Sequence, residues 1–228
     1  MAVGAIVVAG GEGVRMGAGG NKVFLEVAGQ SILERSLTLF QSHPLVAEIV
    51  LVARRADIQA CEGMRGRFSK LHHLVGGGDV RHRSEFAGIQ ALAGRIDAGE
   101  IDVVLVHDAV RPFASADLID RLVADRGESI GCIPGLPLPS TVVSVKDGYV
   151  LDAPRNLWAV QTPQAFEATW LLEAHNRAAR QGFVGTDTAS VIEWAGGDVR
   201  VIAGEVDNIK ITTPADLQRA KTIADQRS

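Results

Sequence analysis

The chain has little of what would mark it for a membrane, a structural metal or a nucleic acid. No apolar stretch approaches the ~20 residues that a transmembrane helix needs, and no basic region precedes the first apolar run. Neither a membrane partner nor a secretory signal is therefore expected. Only two of the 228 residues are cysteines, Cys61 and Cys132, and their separation matches no metal-ligand or redox motif. Two reduced thiols in a cytoplasmic protein are the expectation. His72, His73 and His82 lack dependable ligand spacing and are read as non-metal histidines. The net charge of −4 leaves no general basic footprint, which argues against a nucleic-acid partner but not against a local anion site. There is no internal repeat, no low-complexity segment, and no Ser–His–Asp or Cys–His set that spacing supports.

Two familiar phosphate motifs are also missing, each narrowly. A P-loop needs G-x-x-x-x-G-K-[ST], but Lys22 lies between Asn21 and Val23. The dinucleotide fingerprint G-x-G-x-x-G fits Gly11 and Gly13 and then meets Met16. What is present is a glycine-rich turn of another kind, Gly10-Gly11-Glu12-Gly13-Val14-Arg15-Met16-Gly17, with Lys22 beyond it. It follows a short apolar run, Ala5-Ile6-Val7-Val8-Ala9. A strand feeding such a turn wraps backbone N–H groups around phosphates. Arg15 and Lys22 point to a polyphosphate that is attacked as well as held.

A hydrophobic fraction of 46% is ample for a core. Ser31-Ile32-Leu33-Glu34 is a capping box opening a helix with Leu33, Leu37 and Phe40 on one face. Glu48-Ile49-Val50-Leu51-Val52-Ala53 and Asp102-Val103-Val104-Leu105-Val106 read as strands, and His72-His73-Leu74-Val75 as a weaker one closed by three glycines. Helical patterns cover about residues 80–93, 167–181, 187–194 and 214–224, the last with Pro214 at its first position, and 198–202 could be a final strand. Continuous apolar runs suit strands covered on both faces. The expectation is an α/β protein, one Rossmann-like domain over residues 1–228 with a mostly parallel sheet. Ligands of such sheets bind at the carboxyl ends of the strands, where residues 10–22, 76–84 and 107–112 fall. Residues 137–160 break the alternation, and Asp147-Gly148 between β-rich arms signals a hairpin. A hairpin alone is marginal, so this protruding β-arm packs on the body or, the preferred reading, joins a homodimer.

Several side chains could carry chemistry. Asp108 follows an apolar strand and either meets the Mg²⁺ that travels with a nucleotide or caps a helix. Asp207 is a weaker second carboxylate. Arg111 precedes Pro112 on a stiffened loop, while Arg155 and Lys210 are isolated cations whose default is the solvated surface. Asp79, Arg81 and Ser84 follow three glycines and either touch a base or ribose or cap the next helix.

Together these segments resemble a known family. Val8-Ala9-Gly10-Gly11-Glu12-Gly13-Val14-Arg15-Met16…Lys22 is similar to the A-A-G-x-G-x-R-M…P-K signature of sugar-phosphate nucleotidyltransferases. Gly77-Gly78-Asp79-Val80-Arg81-His82-Arg83-Ser84, Val106-His107-Asp108-Ala109-Val110-Arg111-Pro112, Gln161-Thr162-Pro163-Gln164, Thr186-Asp187 and Asp207-Asn208-Ile209-Lys210 follow in order. The series resembles the 2-C-methyl-D-erythritol 4-phosphate cytidylyltransferase family over nearly the whole chain. The resemblance implies cytidylyl transfer from CTP, with Mg²⁺, to a sugar-alcohol phosphate and release of pyrophosphate, in isoprenoid precursor synthesis. It implies that Arg15 and Lys22 stabilise charge developing on the triphosphate and that Arg155 and Lys210 hold the sugar phosphate. It also implies that Asp108, Arg111, Thr141 and Thr162 meet the substrate, Asp108 also the metal. Ala9, Gly10, Gly11, Gly13, Gly78, Asp79 and Ser84 would hold CTP, and no purine-stacking aromatic is evident among them.

The chain departs from the family pattern in three places. Asn21 stands for the usual proline, Val23 for the usual glutamine, and Ser140-Thr141-Val142-Val143 for D-T-x-K. The altered arm keeps ribitol-5-phosphate cytidylyltransferase as a rival reading, and a non-catalytic nucleotide-binding homologue is a second. An NAD-dependent oxidoreductase fits less well, because Ala53-Arg54-Arg55 offers no acidic residue to a ribose.

Overall fold

A computed structural model describes residues 1–11, 21–138 and 142–227. The chain runs β1 (Val3–Ala9), a 3₁₀ turn (Lys22–Phe24), β2 (Glu26–Val27), β3 (Gln30–Ser31), α1 (Ile32–Ser42), β4 (Val46–Ala53), α2 (Ile58–Arg65) and β5 (Leu71–Gly76). Then follow α3 (Arg81–Asp97), β6 (Val103–Asp108), α4 (Ala116–Asp125), β7 (Gly131–Pro137), β8 (Ser144–Lys146), β9 (Tyr149–Asp152) and β10 (Trp158–Val160). The last elements are β11 (Gln164–Glu167), α5 (Ala168–Gln181), α6 (Thr188–Ala195), β12 (Val199–Ala203) and α7 (Pro214–Gln226).

The central sheet has the order β10-β7-β11-β6-β1-β4-β5, with β12 alongside β7. Its β6-β1-β4-β5 half is parallel throughout, and β12 joins β7 parallel as well. The apolar runs are continuous because each strand serves two cores. Val3, Ala5 and Val7 of β1 face one side with α1, α2 and α4, while Ile6 faces the other with α3, α5 and α6. Ile49 and Leu51 against Val50 and Val52, and Val103 and Leu105 against Val104 and Val106, repeat this division. Successive side chains of a strand point to opposite faces, so a strand sandwiched between helix layers must be apolar at every position. Helix α7 closes a third, smaller cluster on Val27, Ile32, Phe113 and Ile211.

The local signals act as read. Ser31 Oγ accepts from Glu34 N–H at 3.2 Å while Ser31 N–H donates to the Glu34 carboxylate at 2.8 Å, closing the capping box. Pro214 sits in the first turn of α7 behind the cap residue Thr213. Asp147 and Gly148 both take positive φ, at 51° and 84°, as a tight β8–β9 turn requires.

The short β2 and β3, and β7, β10 and β11 of the main sheet, were not legible. β7 contains Pro134 and Pro137, which read as breakers, yet it pairs with β10, β11 and β12. Proline removes only a donor from the ladder, and the Pro134 carbonyl still accepts from Gln161 N–H at 2.8 Å. Pro137 and Trp158 pair with each other in the main sheet. The ends of the interval read as an arm therefore belong to the body, and the hairpin proper spans β8 and β9. All seven hairpin-strand residues are exposed.

Candidate active site

Strands β6, β1, β4 and β5 run side by side in parallel, and a cavity of about 380 Å³ opens at the carboxyl ends of β1 and β6 and the turn after β5. Its wall contains Ala9, Gly10, Gly11, Lys22, Gly78, Asp79, Ser84, Asp108 and Lys210, nine residues singled out from the sequence. Arg81 lines it too. The glycines are there for close approach. A Cβ on Gly78 would stand 2.4 Å from Arg83 Cβ, and one on Gly77 would stand 2.8 Å from Ser84 Oγ. Ser84 does not cap α3, whose cap residue Val80 makes no side-chain bond. Its hydroxyl accepts from Gly78 N–H at 3.1 Å and so shapes the glycine turn.

Asp108, the last residue of β6, is the electrostatic centre. Lys210 Nζ lies 2.8 Å from one carboxylate oxygen, Arg81 Nε 3.2 Å from the other, and Arg111 Nε 4.0 Å away. Burial alone would raise the Asp108 carboxyl, but Arg81, Lys210 and Arg111 outweigh it and hold the group well below the usual carboxylate range. The helix-cap reading of Asp108 falls away, because α4 begins at Ala116 under the cap of Ser115. Behind Arg81 lies Glu85, fully buried, at 2.5 Å from the guanidinium and accepting from the Thr188 hydroxyl at 2.9 Å. Burial pushes the Glu85 carboxyl up to about 7 against the pull of Arg81 and Thr188.

A buried polar frame holds this centre in place. Thr162 Oγ1 accepts from Asp108 N–H at 3.0 Å and lies 3.2 Å from His107 Nδ1. His107 Nε2 is 3.1 Å from the Arg111 carbonyl, which can only accept. The proton therefore sits on Nε2, and Nδ1 accepts from the Thr162 hydroxyl. Burial drives the His107 pKa down to about 4, so the ring is neutral near pH 7. The Arg111 guanidinium donates to the carbonyls of Asn208 at 2.8 Å and Val160 at 3.1 Å. Asn208 Nδ2 donates to the Thr162 carbonyl at 2.9 Å. Thr162 and Arg111 were expected to touch substrate. Instead the Thr162 hydroxyl and both terminal Arg111 nitrogens are committed to the protein, and neither residue lines the cavity.

Other expectations fall elsewhere. Arg155 is exposed on the connection between β9 and β10, outside the cavity of its own chain. Asp207 is drawn to Arg227 at 3.3 Å, away from Asp108. Arg15, Gly13 and Thr141 lie outside the described residues. Glu85 was missed altogether. Its one sequence signal was a carboxylate four residues after Arg81 on a helix, a spacing that pairs charges.

Three cations and a glycine-lined wall around one ionised carboxylate form a site for a polyanion. Such a site works by positioning and by neutralising charge. Among the described residues no group of three or more His, Cys, Asp or Glu side chains could cage a metal. One carboxylate does suit a Mg²⁺ that arrives on a triphosphate, because Mg²⁺ takes one or two carboxylates and fills its shell with phosphate and water. No helix among the described residues is long and apolar enough to cross a membrane.

The chain matches known proteins along its length. A family model described as 2-C-methyl-D-erythritol 4-phosphate cytidylyltransferase matches residues 3–226. A protein of that description from Geobacter metallireducens is 40% identical over 232 residues, covering 100% of this chain and 99% of the relative. One from Bacillus licheniformis is 39% identical over 226 residues, covering 96% and 94%. The crystal structure of 4-diphosphocytidyl-2C-methyl-D-erythritol synthase from Anaerococcus prevotii superposes with a TM-score of 0.84 at 29% identity, over 98% of this chain and 96% of that one. A 2-C-methyl-D-erythritol 4-phosphate cytidylyltransferase from Thermus thermophilus gives 0.77 at 30% identity, over 99% and 100%.

Proposed function

Since the chain belongs to the 2-C-methyl-D-erythritol 4-phosphate cytidylyltransferase family, we propose that its cavity transfers the cytidylyl group of CTP to 2-C-methyl-D-erythritol 4-phosphate. The protein is then a nucleotidyltransferase of isoprenoid precursor synthesis. An oxygen of the sugar-alcohol phosphate forms a bond to the α-phosphorus of CTP, the bond from that phosphorus to the β-phosphate bridge breaks, and pyrophosphate leaves with its electron pair. The observation that carries this reading is one cavity at the strand ends lined by Lys22, the glycine wall and Asp108, with Arg81 and Lys210 paired to Asp108.

The residues divide the work. Backbone at Ala9, Gly10, Gly11 and Gly78, with Asp79 and Ser84, forms the wall for the nucleoside, and a small pyrimidine suits it. Lys22, which lines the cavity, is assigned to the phosphates. Lys210 holds the incoming phosphate, and Asp108 holds Lys210. Asp108 would hold a Mg²⁺ that arrives with CTP, and that ion would supply charge neutralisation of the triphosphate. Thr162 and Arg111 act by holding the Asp108 backbone and the strand-end loop.

The arm belongs to a homodimer in this reading. Val145, Tyr149, Val150 and Leu151 are 58–77% exposed on the hairpin, an apolar surface that water does not favour. A second copy would cover it and would bring the exposed Arg155 of one chain toward the cavity of the other. Cys61 and Cys132 are free and buried, which supports a reducing, cytoplasmic setting. The test is pyrophosphate release by the purified protein with Mg²⁺ and CTP, with 2-C-methyl-D-erythritol 4-phosphate and ribitol 5-phosphate in parallel. Release with the first alone is expected. Release with ribitol 5-phosphate alone would move the acceptor, and release with neither would refute turnover.

A further inference from the structure

We infer that Asn21 is a positioning residue for Lys22, a clamp that ties the end of β1 to the turn carrying that lysine. The inference rests on the cytidylyltransferase reading above. Asn21 is 5% exposed and immediately precedes the 3₁₀ turn whose first residue is Lys22. Its Nδ2 donates to the Ala9 carbonyl at 3.1 Å and to the Asp57 carboxylate at 2.8 Å. Its Oδ1 accepts from Val23 N–H at 3.3 Å. Both partners of Nδ2 can only accept and the partner of Oδ1 can only donate, so one amide orientation alone satisfies all three bonds.

The clamp is itself anchored. Arg54, the residue after β4, donates to both Asp57 oxygens, at 2.6 Å and 2.9 Å. Hydrogen bonds from Arg54 and Asn21 hold the Asp57 carboxyl below its ordinary range despite partial burial, so it stays an acceptor at neutral pH. Backbone bonds finish the turn: Phe24 N–H donates to the Asn21 carbonyl and Leu25 N–H to the Lys22 carbonyl, each at 3.1 Å. Val23 drops into the core beside α1. With its neighbours pinned on both sides, the Lys22 backbone has one position relative to Ala9, and the side chain enters the cavity from it. Asn21 is among the departures from the family signature. A proline there would have no amide side chain and could make none of these three bonds.

The experiment uses full-length protein and the pyrophosphate-release assay. Asn21→Asp keeps the acceptor for Val23 N–H, removes both donated bonds and sets a second carboxylate against Asp57. A misplacement near 1 Å costs up to ~100-fold, so kcat should fall by about 10–100-fold, with KM for the sugar-alcohol phosphate unchanged. Asp57→Asn in that background removes the like-charge repulsion and restores a donor between the two side chains, but it leaves the Ala9 bond missing, so kcat should recover only in part. Asn21→Ala, which removes all three bonds without like-charge repulsion, serves if Asn21→Asp does not fold. Wild-type kcat in the folded single variants would overturn the inference, even if the melting temperature fell. So would full recovery of kcat in the double variant, where the bond to Ala9 is still missing. Wild-type protein that releases no pyrophosphate overturns the functional reading and the clamp together, whereas active wild type beside equally active variants overturns the clamp alone.

Discussion

Lowering the pH from 7 to 5 should expose a buried histidine that has no task in the reaction. His175 of α5 is fully buried, stacked on His82 at 5.1 Å and on Phe86 at 6.4 Å. Neither ring nitrogen has a hydrogen-bond partner among the described residues. Burial, helped by His82, pushes its pKa from 6.5 down to about 3. The unfolded chain therefore takes up a proton below pH 6.5 that the native chain refuses until about pH 3, and stability falls as the pH drops through that window. At 1.36 kcal/mol per unit, His175 alone costs about 2 kcal/mol between pH 7 and pH 5. His107, lowered to about 4 by burial, costs a similar ~2 kcal/mol over the same interval. Glu85 works in the opposite sense. Its folded pKa, raised by burial to about 7, lets the native chain bind the proton first, which returns about 2 kcal/mol as the pH falls toward 4.5.

The wild-type change is thus a small difference between opposed contributions, and the variants separate them. His175→Phe keeps the stack and removes the proton, so its loss from pH 7 to pH 5 should be about 2 kcal/mol smaller than in wild type. Glu85→Gln should make the loss steeper by a similar amount. Urea unfolding followed by circular dichroism at both pH values measures each difference. Melting shifts of about 4–8 °C should accompany them in a chain of this size. Equal losses in wild type and His175→Phe would refute the argument, because they would mean that the ring is hydrated or partnered in solution.

Four further outcomes are expected. Lys22→Ala should lower kcat by about 10²–10³-fold, the cost of removing one preorganised charge, with an unchanged melting temperature; near-normal turnover would remove Lys22 from the chemistry. Asp108→Asn leaves Lys210, Arg81 and Arg111 without their carboxylate and should weaken both activity and fold, the latter by about 3 kcal/mol; unchanged kinetics would show that Lys210 needs no holder. Gly78→Ala places a methyl group 2.4 Å from Arg83 Cβ and should weaken CTP binding by about tenfold in calorimetry; full affinity would show that the turn has room. Leu151→Glu should give a monomer in sedimentation with CTP binding intact and turnover lost; an active monomer would refute the shared site.

Much of the protein was legible in its residues because the governing forces are local. The β1 run, the capping box at Ser31, the turn at Asp147-Gly148 and the glycine-rich segment each follow from short-range geometry. The site itself was legible as types at strand ends: Lys22, Asp108 and Ser84 lie within or just after apolar runs and glycine turns. Tertiary structure decided which charges meet. Lys210 and Arg81 reach Asp108 only because the last loop and α3 both return to the end of β6, and no spacing encodes a contact between residues so far apart. It also decided that Thr162 and Arg111 support the site from behind, since hydrogen-bond commitments depend on neighbours folded in from elsewhere. The prolines of β7 hid a strand because their effect depends on which side of the backbone is paired. In the sequence Asn21 was only a departure from the family's proline. Folding turned it into a clamp, because Ala9 and Asp57 arrive beside it from two different strands' ends.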